Sequence, residues 1–152
     1  MARGFFVSET INRPIWEVWA FLIDFRNAPK WMTGVEEFAL SHGSEIKAGA
    51  RYSFKSRGFT REGEVTFYEP GRKIALTSHQ GRVTATYTYI LREKGASTEV
   101  QMEAACKASG LWFLAHPLMA YRMRKSDGNH IAQLKQAMEV PVAKARKVKA
   151  SN

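Results

Sequence analysis

A histidine and a tyrosine on neighbouring predicted strands are the residues of this chain best suited to chemistry. His79 ends the run Lys73–His79, and Tyr87 lies in the next strand-like run. An imidazole can act as a general base near neutral pH, and a tyrosine hydroxyl can stabilise the enolate that forms when an acidic carbon loses its proton. His79 and Tyr87 are therefore the candidate catalytic residues. The pattern leaves open which face of its strand His79 occupies, and a histidine facing water at a strand end is the alternative.

Other kinds of catalytic site have little support in the sequence. The four histidines, His42, His79, His116 and His130, form no HExxH motif and have no spacing that places two metal ligands on one helix. The single cysteine, Cys106, shares a strand face with apolar residues, which is typical of a small buried side chain. No GxSxG, P-loop or GxGxxG motif is present. We therefore expect no metal and no cofactor.

The composition indicates one ordinary globular domain. The chain has 152 residues, of which 45% are hydrophobic and 24% charged, and this suffices for a core without disulfides. The longest apolar stretch, Leu111–Tyr121, is interrupted by His116 and Pro117 and is shorter than the ~20 residues that a membrane span needs. One cysteine and the absence of a secretory signal pattern favour a cytoplasmic protein.

The chain is strongly basic, with 23 Lys and Arg against 14 Asp and Glu and a net charge of +9. Two clusters contribute much of the excess: Arg122, Arg124 and Lys125, and Lys144, Arg146, Lys147 and Lys149 near the C-terminus. Trp112 and Phe113 precede the first cluster, and together they favour transient contact with an anionic membrane. A solvated helix face and a homodimer interface are the alternatives. We expect no nucleic-acid binding, because the exposed strand positions are mostly Thr and Glu.

The first forty residues predict a strand followed by two short helices. Gly4–Asn12 is rich in aromatic and β-branched residues, which is typical of a strand. Asn12 is suited to cap a helix and Pro14 to its first turn. The apolar spacing then continues to about Phe25, and Trp16 is expected to widen the apolar face. A second short helical turn carries Trp31.

The rest of the chain predicts consecutive antiparallel strands and a covering helix. Residues 34–107 carry turn signals at the intervals of a meander. Alternation assigns one apolar face to this sheet, formed by Val65, Phe67, Val83, Ala85, Tyr87, Tyr89, Leu91, Val100, Met102 and Ala104. A helix from about Pro117 to Glu139 then covers that face with an inner stripe of Leu118, Tyr121, Ile131, Leu134 and Met138. The residues beyond Pro141 are expected to be disordered.

The sequence also resembles a known superfamily. The resemblance is carried by Val7–Pro14, Val18-Trp19, Asp24, Pro29 and Trp31: an apolar strand, a Pro-led helix with Val-Trp, a helix-ending Asp and a Trp soon after. It identifies the chain as similar to the START-like, Bet v 1-like (SRPBCC) superfamily, in its polyketide cyclase/dehydrase branch. The implied fold is the α+β helix-grip fold, in which a curved antiparallel sheet wraps around a long C-terminal helix. The domain covers residues 1–140 and is followed by the basic tail 141–152.

This resemblance implies a cavity between the sheet and the last helix but does not fix a function. Tyrosines on the inner sheet face favour a ligand pocket, since a filled core rarely uses several of them. We therefore expect a hydrophobic small molecule (a lipid, an isoprenoid or an aromatic polyketide) to bind there. The expected ligand-binding residues are Trp31, Tyr52, Phe54, Val65, Phe67, Leu76, Tyr87, Tyr89, Met102, Ala104, Leu118, Met119 and Met123.

Two alternatives from other classes remain. The first is a polyketide cyclase or dehydratase that uses a His/Tyr pair in the pocket, which requires His79 to face inward. The second is an interaction protein that binds an acidic partner through its basic helix and tail. The sequence favours binding without catalysis over either alternative.

Overall fold

The computed structural model describes residues 3–80, 82–108, 125 and 129–139. Seven strands form one antiparallel sheet: β1 (Arg3–Ile11), β2 (Val35–Leu40), β3 (Arg51–Ser56), β4 (Phe59–Glu69), β5 (Lys73–Gln80), β6 (Val83–Lys94) and β7 (Ser97–Ala108). Their spatial order is β1-β7-β6-β5-β4-β3-β2, so β2 to β7 are a meander and β1 returns beside β7. The predicted helix-grip fold is confirmed. Among the described residues, no helix is long and apolar enough to cross a membrane.

The helices are α1 (Ile15–Ile23), α2 (Ala28–Trp31) and a final helix, α3, described over residues 130–139. Asn12 does not cap α1 as predicted. Pro14 itself takes the capping position in an extended conformation, and its carbonyl accepts the first helical hydrogen bonds. The helix ends two residues earlier than predicted, because the Asp24 side chain accepts a hydrogen bond from the Arg26 backbone and starts a short 3₁₀ turn.

The inner face of the sheet and the helices share one core. On β7 the predicted alternation holds, since Val100, Met102 and Ala104 are buried. On α1 the buried side is Val18, Trp19 and Leu22, whereas Trp16, which was predicted to widen the apolar face, is 71% exposed. Ile131, Leu134 and Met138 form the predicted inner stripe of α3. Leu118 and Tyr121, predicted for the same stripe, lie outside the described residues.

A β-bulge in β4 reverses the predicted position of Phe67. Val65 faces inward opposite Leu76, but the pairing shifts by one residue before Phe67, which lies opposite Ala75. Phe67 therefore lies on the outer face and is 43% exposed, with the Lys73 ammonium 4.9 Å from its ring centroid. The bulge turns the following residue, Tyr68, inward, where its ring lies 5.8 Å from that of Trp19.

Two charged side chains attach α3 to the first strand and the residue after it. The Lys135 ammonium donates to the Thr10 carbonyl at 2.6 Å and to the Glu139 carboxylate at 3.1 Å. The same carboxylate accepts a hydrogen bond from the Asn12 backbone N–H at 2.6 Å. Burial acts to raise the pKa of Glu139, but these hydrogen bonds and the nearby cations outweigh it and hold the pKa below its ordinary value.

We expect Glu139→Gln to lower the free energy of unfolding by about 1–2 kcal/mol at pH 7, because it removes a charged acceptor that holds the helix in place. A carboxyl whose pKa is lower in the folded state stabilises fully above its unfolded value, near 4.5 here, and this contribution is lost as pH falls through the folded value. The deficit should therefore shrink as the pH is lowered through and below 4.5. Urea denaturation across this range measures it. Glu93→Gln, which removes one exposed negative charge from β6, is the control and should cost about 0.5 kcal/mol or less.

Candidate functional site

A cavity of about 200 Å³ lies between the inner face of β3–β6 and the segment that links α2 to β2, with the start of α3 on one side. Its aromatic lining is Phe38, Tyr52, Phe54, Tyr87 and Tyr89. Its aliphatic lining is Met32, Val35, Leu76 and Ala85. Its polar lining is Thr33, Ser56, Arg57, Arg61, Ser78 and His130. An apolar wall with a limited set of polar groups is typical of a small-molecule site.

Stacked aromatic rings form one wall of the cavity. The Phe38 ring stacks on Tyr52 with centroids 4.8 Å apart and on Phe54 at 5.4 Å. Because β2 and β3 pair with Phe38 opposite Phe54, these rings lie on the same face of the sheet. Tyr52 is 2% exposed, and burial raises the pKa of its hydroxyl, which therefore stays protonated at neutral pH. The wall presents flat apolar surfaces of the kind that an aromatic ring packs against.

Trp31 packs against two of the residues that line the cavity. It is 1% exposed, and its ring meets Tyr89 edge-on at 5.5 Å and His130 edge-on at 6.3 Å. It thus joins α2 to the sheet and to the first turn of α3, and both of its aromatic neighbours line the cavity.

The predicted ligand-binding residues fall into four groups. Five of them line the cavity: Tyr52, Phe54, Leu76, Tyr87 and Tyr89. Four others, Trp31, Val65, Met102 and Ala104, are buried in the adjoining core. Phe67 lies on the opposite face of the sheet for the reason given above, and Leu118, Met119 and Met123 lie outside the described residues. That the lining residues bind a ligand stays a prediction.

The structure does not bring the candidate catalytic pair together. His79 faces outward, is exposed, and its Nδ1 lies 3.0 Å from the Thr84 hydroxyl on the neighbouring strand. Tyr87 faces inward and lines the cavity. The sheet therefore separates His79 from Tyr87. Among the described residues, the imidazole that lines the cavity belongs to His130, which is 5% exposed.

Sequence reasoning missed the cationic part of the site. Arg61 lies opposite Phe54 in the pairing of β3 with β4. It precedes the inward residues Gly63 and Val65 by two and four positions, so the alternation of β4 indicates the inner face for Arg61 as well. Because arginine side chains are usually exposed to solvent, the sequence analysis did not assign Arg61 to the cavity. Arg57 reaches the cavity from a tight turn in which its own φ is 52°, a conformation that no period-two pattern reveals.

Cys106 is buried on the inner face of β7, and burial raises the pKa of its thiol. Such a thiol is a packing residue more than a nucleophile. Within the described residues, no three His, Cys, Asp or Glu side chains cluster as metal ligands would.

The fold and the cavity define a helix-grip domain with an internal apolar site. The chain belongs to the polyketide cyclase/dehydrase and lipid transport family, whose model matches residues 5–139. This confirms the resemblance noted in the sequence. No curated protein sequence matches the chain.

Solved structures with the same fold differ widely in sequence from this chain. The di-domain aromatase/cyclase BexL, from the BE-7585A biosynthetic pathway, superposes with a TM-score of 0.75 at 15% identity over 90% of this chain and 46% of its own. The Zhui aromatase/cyclase from Streptomyces sp. R1128 gives a TM-score of 0.70 at 12% identity over 91% and 94% of the two chains. Ara h 8.0201 gives 0.66 at 12% identity over 89% and 96%. At these identities the likeness defines the fold alone.

Proposed function

We propose that this protein binds a small hydrophobic molecule in the cavity between β3–β6 and the helices. The observation that carries the proposal is the aromatic-walled space of about 200 Å³, which a filled core would not leave. An apolar cavity of roughly 150 Å³ suffices for one benzene molecule, so this space suits one or two fused rings or one end of a longer chain. Burial of the ligand's apolar surface supplies the affinity.

A cyclase- or dehydratase-type reaction in the same cavity is the second candidate function. It is favoured by one observation: an imidazole, that of His130, lines the cavity with the Tyr87 and Tyr89 side chains. These groups are of the types that remove a proton from carbon and stabilise an enolate. The role first assigned to His79 passes to His130 in this proposal.

Native mass spectrometry of protein purified from its own host tests the binding proposal. A reproducible adduct of a few hundred daltons, extracted and identified as hydrophobic, supports it. If the purified protein has only its bare mass and none of a panel of ring-containing probes binds, the proposal fails. Turnover of a polyketide-like probe with an acidic carbon, lost in His130→Ala and kept in His79→Ala, favours the enzyme.

A ring added on the inner face should block the cavity, whereas the same ring on the outer face should not. Ala85 lines the cavity, and the preceding residue, Thr84, points to the other face of β6 beside His79. We expect Ala85→Phe to weaken binding of 2-naphthalenemethanol, a neutral two-ring probe, by about tenfold or more, since it occupies the space that the probe needs. Thr84→Phe is the matched control and should leave the dissociation constant within about twofold. Calorimetry measures the dissociation constants. Equal changes in the two variants would mean that the probe does not bind in this cavity.

Contact with an anionic membrane, self-association and a cytoplasmic location stay predictions. Of the residues assigned to the membrane contact, Lys125 is exposed and the others, like the tail 141–152, lie outside the described residues. Binding to vesicles with and without anionic lipid, at low and high salt, tests the membrane contact directly.

A further inference from the structure

Arg61 stands out because its side chain lines the cavity without a counter-ion among the residues that the structure describes. Its Nε atom is buried, and no hydrogen bond or ion pair joins its guanidinium to the part of the chain that the structure describes. The residues on either side of it, Thr60 and Glu62, are exposed and lie on the outer face of β4. The neighbouring inward positions are occupied by Phe54 opposite and Gly63 along the strand, and neither carries a charge.

Among the described residues, the charged side chains that line the cavity are all cationic. Arg57 lines it together with Arg61, and the described lining includes no aspartate or glutamate. Arg61 belongs to none of the ion pairs seen between described residues, such as those of Arg13 with Glu17 and Lys55 with Glu36. A cation among apolar groups loses hydration without compensation, and in such surroundings its attraction for an anion is stronger than at an open surface.

Two neutral donors lie on the same inner face. The hydroxyls of Ser56 and Ser78 line the cavity, and Ser56 is two residues beyond Phe54 on β3. A planar guanidinium binds a carboxylate through two parallel hydrogen bonds, and hydroxyl groups can satisfy the remaining lone pairs. The stacked rings of Phe38, Tyr52 and Phe54 line the same cavity, which therefore combines an apolar wall with polar groups.

We propose that the ligand of this cavity is a small aromatic carboxylate, whose carboxylate binds Arg61 and whose ring packs on the wall formed by Phe38, Tyr52 and Phe54. This inference rests on the proposed binding function and narrows its ligand class to anions. Arg61 is then the residue that determines specificity, because the rings alone accept neutral and anionic compounds equally.

A matched pair of probes tests the inference on the full chain. 2-Naphthoate and 2-naphthalenemethanol share the same ring system and differ in charge at one end. We expect the naphthoate to bind about tenfold or more tightly than the alcohol, the effect of a charged hydrogen-bonded pair. Arg61→Met, which keeps the length of the side chain, should remove this preference and leave the affinity for the alcohol within about threefold.

Arg51→Met is the matched control, because Arg51 is exposed at the start of β3 and the change removes the same charge from outside the cavity. It should leave the preference for naphthoate intact. Arg61→Lys keeps the charge without the fork and should retain part of the preference. If Arg61→Met prevents folding, Arg61→Lys is the second variant at this position, and the ratio of the two affinities in the unmodified protein still tests whether the ligand class is anionic.

The possible outcomes distinguish failure of the binding function from failure of the inference that the ligand is a carboxylate. If the alcohol binds as tightly as the naphthoate, the inference is overturned and the binding function stands. If the naphthoate is preferred but Arg61→Met keeps that preference, another cation is responsible and the inference is also overturned; loss of the preference in Arg51→Met would assign it to a surface charge. If neither probe binds, the binding function fails and the inference fails with it.

Discussion

Trp31→Ala should lower the free energy of unfolding by about 3–5 kcal/mol, the usual cost of removing a large aromatic side chain from a core. The ring is 1% exposed and touches Tyr89 on β6 and His130 on α3. Its removal therefore leaves a cavity at the point where α2, the sheet and the last helix meet. Since a domain of this kind is stable by only about 5–15 kcal/mol, the loss is a large part of the total.

Trp16→Ala is a control with the same chemical change. Trp16 lies on α1, also in the first third of the chain, but is 71% exposed, so we expect a change within about 0.5 kcal/mol. Far-UV circular dichroism in urea measures both without relying on tryptophan fluorescence. Trp31→Phe provides a graded variant if Trp31→Ala does not fold, and should cost less than the alanine. Equal costs for Trp31→Ala and Trp16→Ala would contradict the burial of Trp31.

The structural role of Trp31 also explains why the fold could be predicted from the sequence. The residues that carried the family resemblance perform structural tasks: Trp31 packs in the core, Asp24 ends α1, and Pro14 starts it. Such structural roles are determined by residues close together in the sequence, so they can be predicted from a single chain. The turns between strands were predicted for the same reason, because glycine supplies the left-handed φ at positions such as Gly71 and Gly95.

The face of a strand is predictable only while the alternation is unbroken. From Val83 to Leu91 and from Val100 to Ala104 the period of two holds, and the predicted inward residues lie inward. In β4 one bulged residue, between Val65 and Phe67, reverses the pattern, and the sequence there contains no glycine or proline to signal it. Phe67 was predicted to face inward because the alternation of β4 was assumed to continue without a bulge.

The polar groups of the cavity were the least predictable part of the site. Met32 and Thr33 reach it from a link between elements, and His130 reaches it from α3, where it lies beside the buried stripe but was not assigned to it. Arg61 was concealed by the general preference of arginine for water, although its strand position indicated the inner face. A rule that compares strand parity with charge would have singled out Arg61, because a cation at an inward position needs a partner.

Gly63→Ala is the second substitution with a large expected effect, and it tests how the aromatic wall is built. Gly63 lies opposite Tyr52 and is not one of the glycines with left-handed φ, so it is required for space and not for backbone conformation. A methyl group there would collide with the end of the Tyr52 ring and would lie 2.6 Å from the Thr77 carbonyl oxygen. We expect a loss of about 1–3 kcal/mol in the free energy of unfolding, as for other overpacked cores.

A double-mutant cycle with Tyr52→Leu identifies the cause. Leucine lacks the ring end that the new methyl group meets, so Gly63→Ala should cost at least about 1 kcal/mol less in the Tyr52→Leu background than in the unmodified protein. The remaining cost reflects the Thr77 carbonyl, which no side-chain change relieves. Equal costs in the two backgrounds would mean that Tyr52 does not cover Gly63. In the unmodified background, the ring displaced by the methyl group should enter the cavity and weaken the binding of 2-naphthalenemethanol, which links the packing of one glycine to the shape of the site.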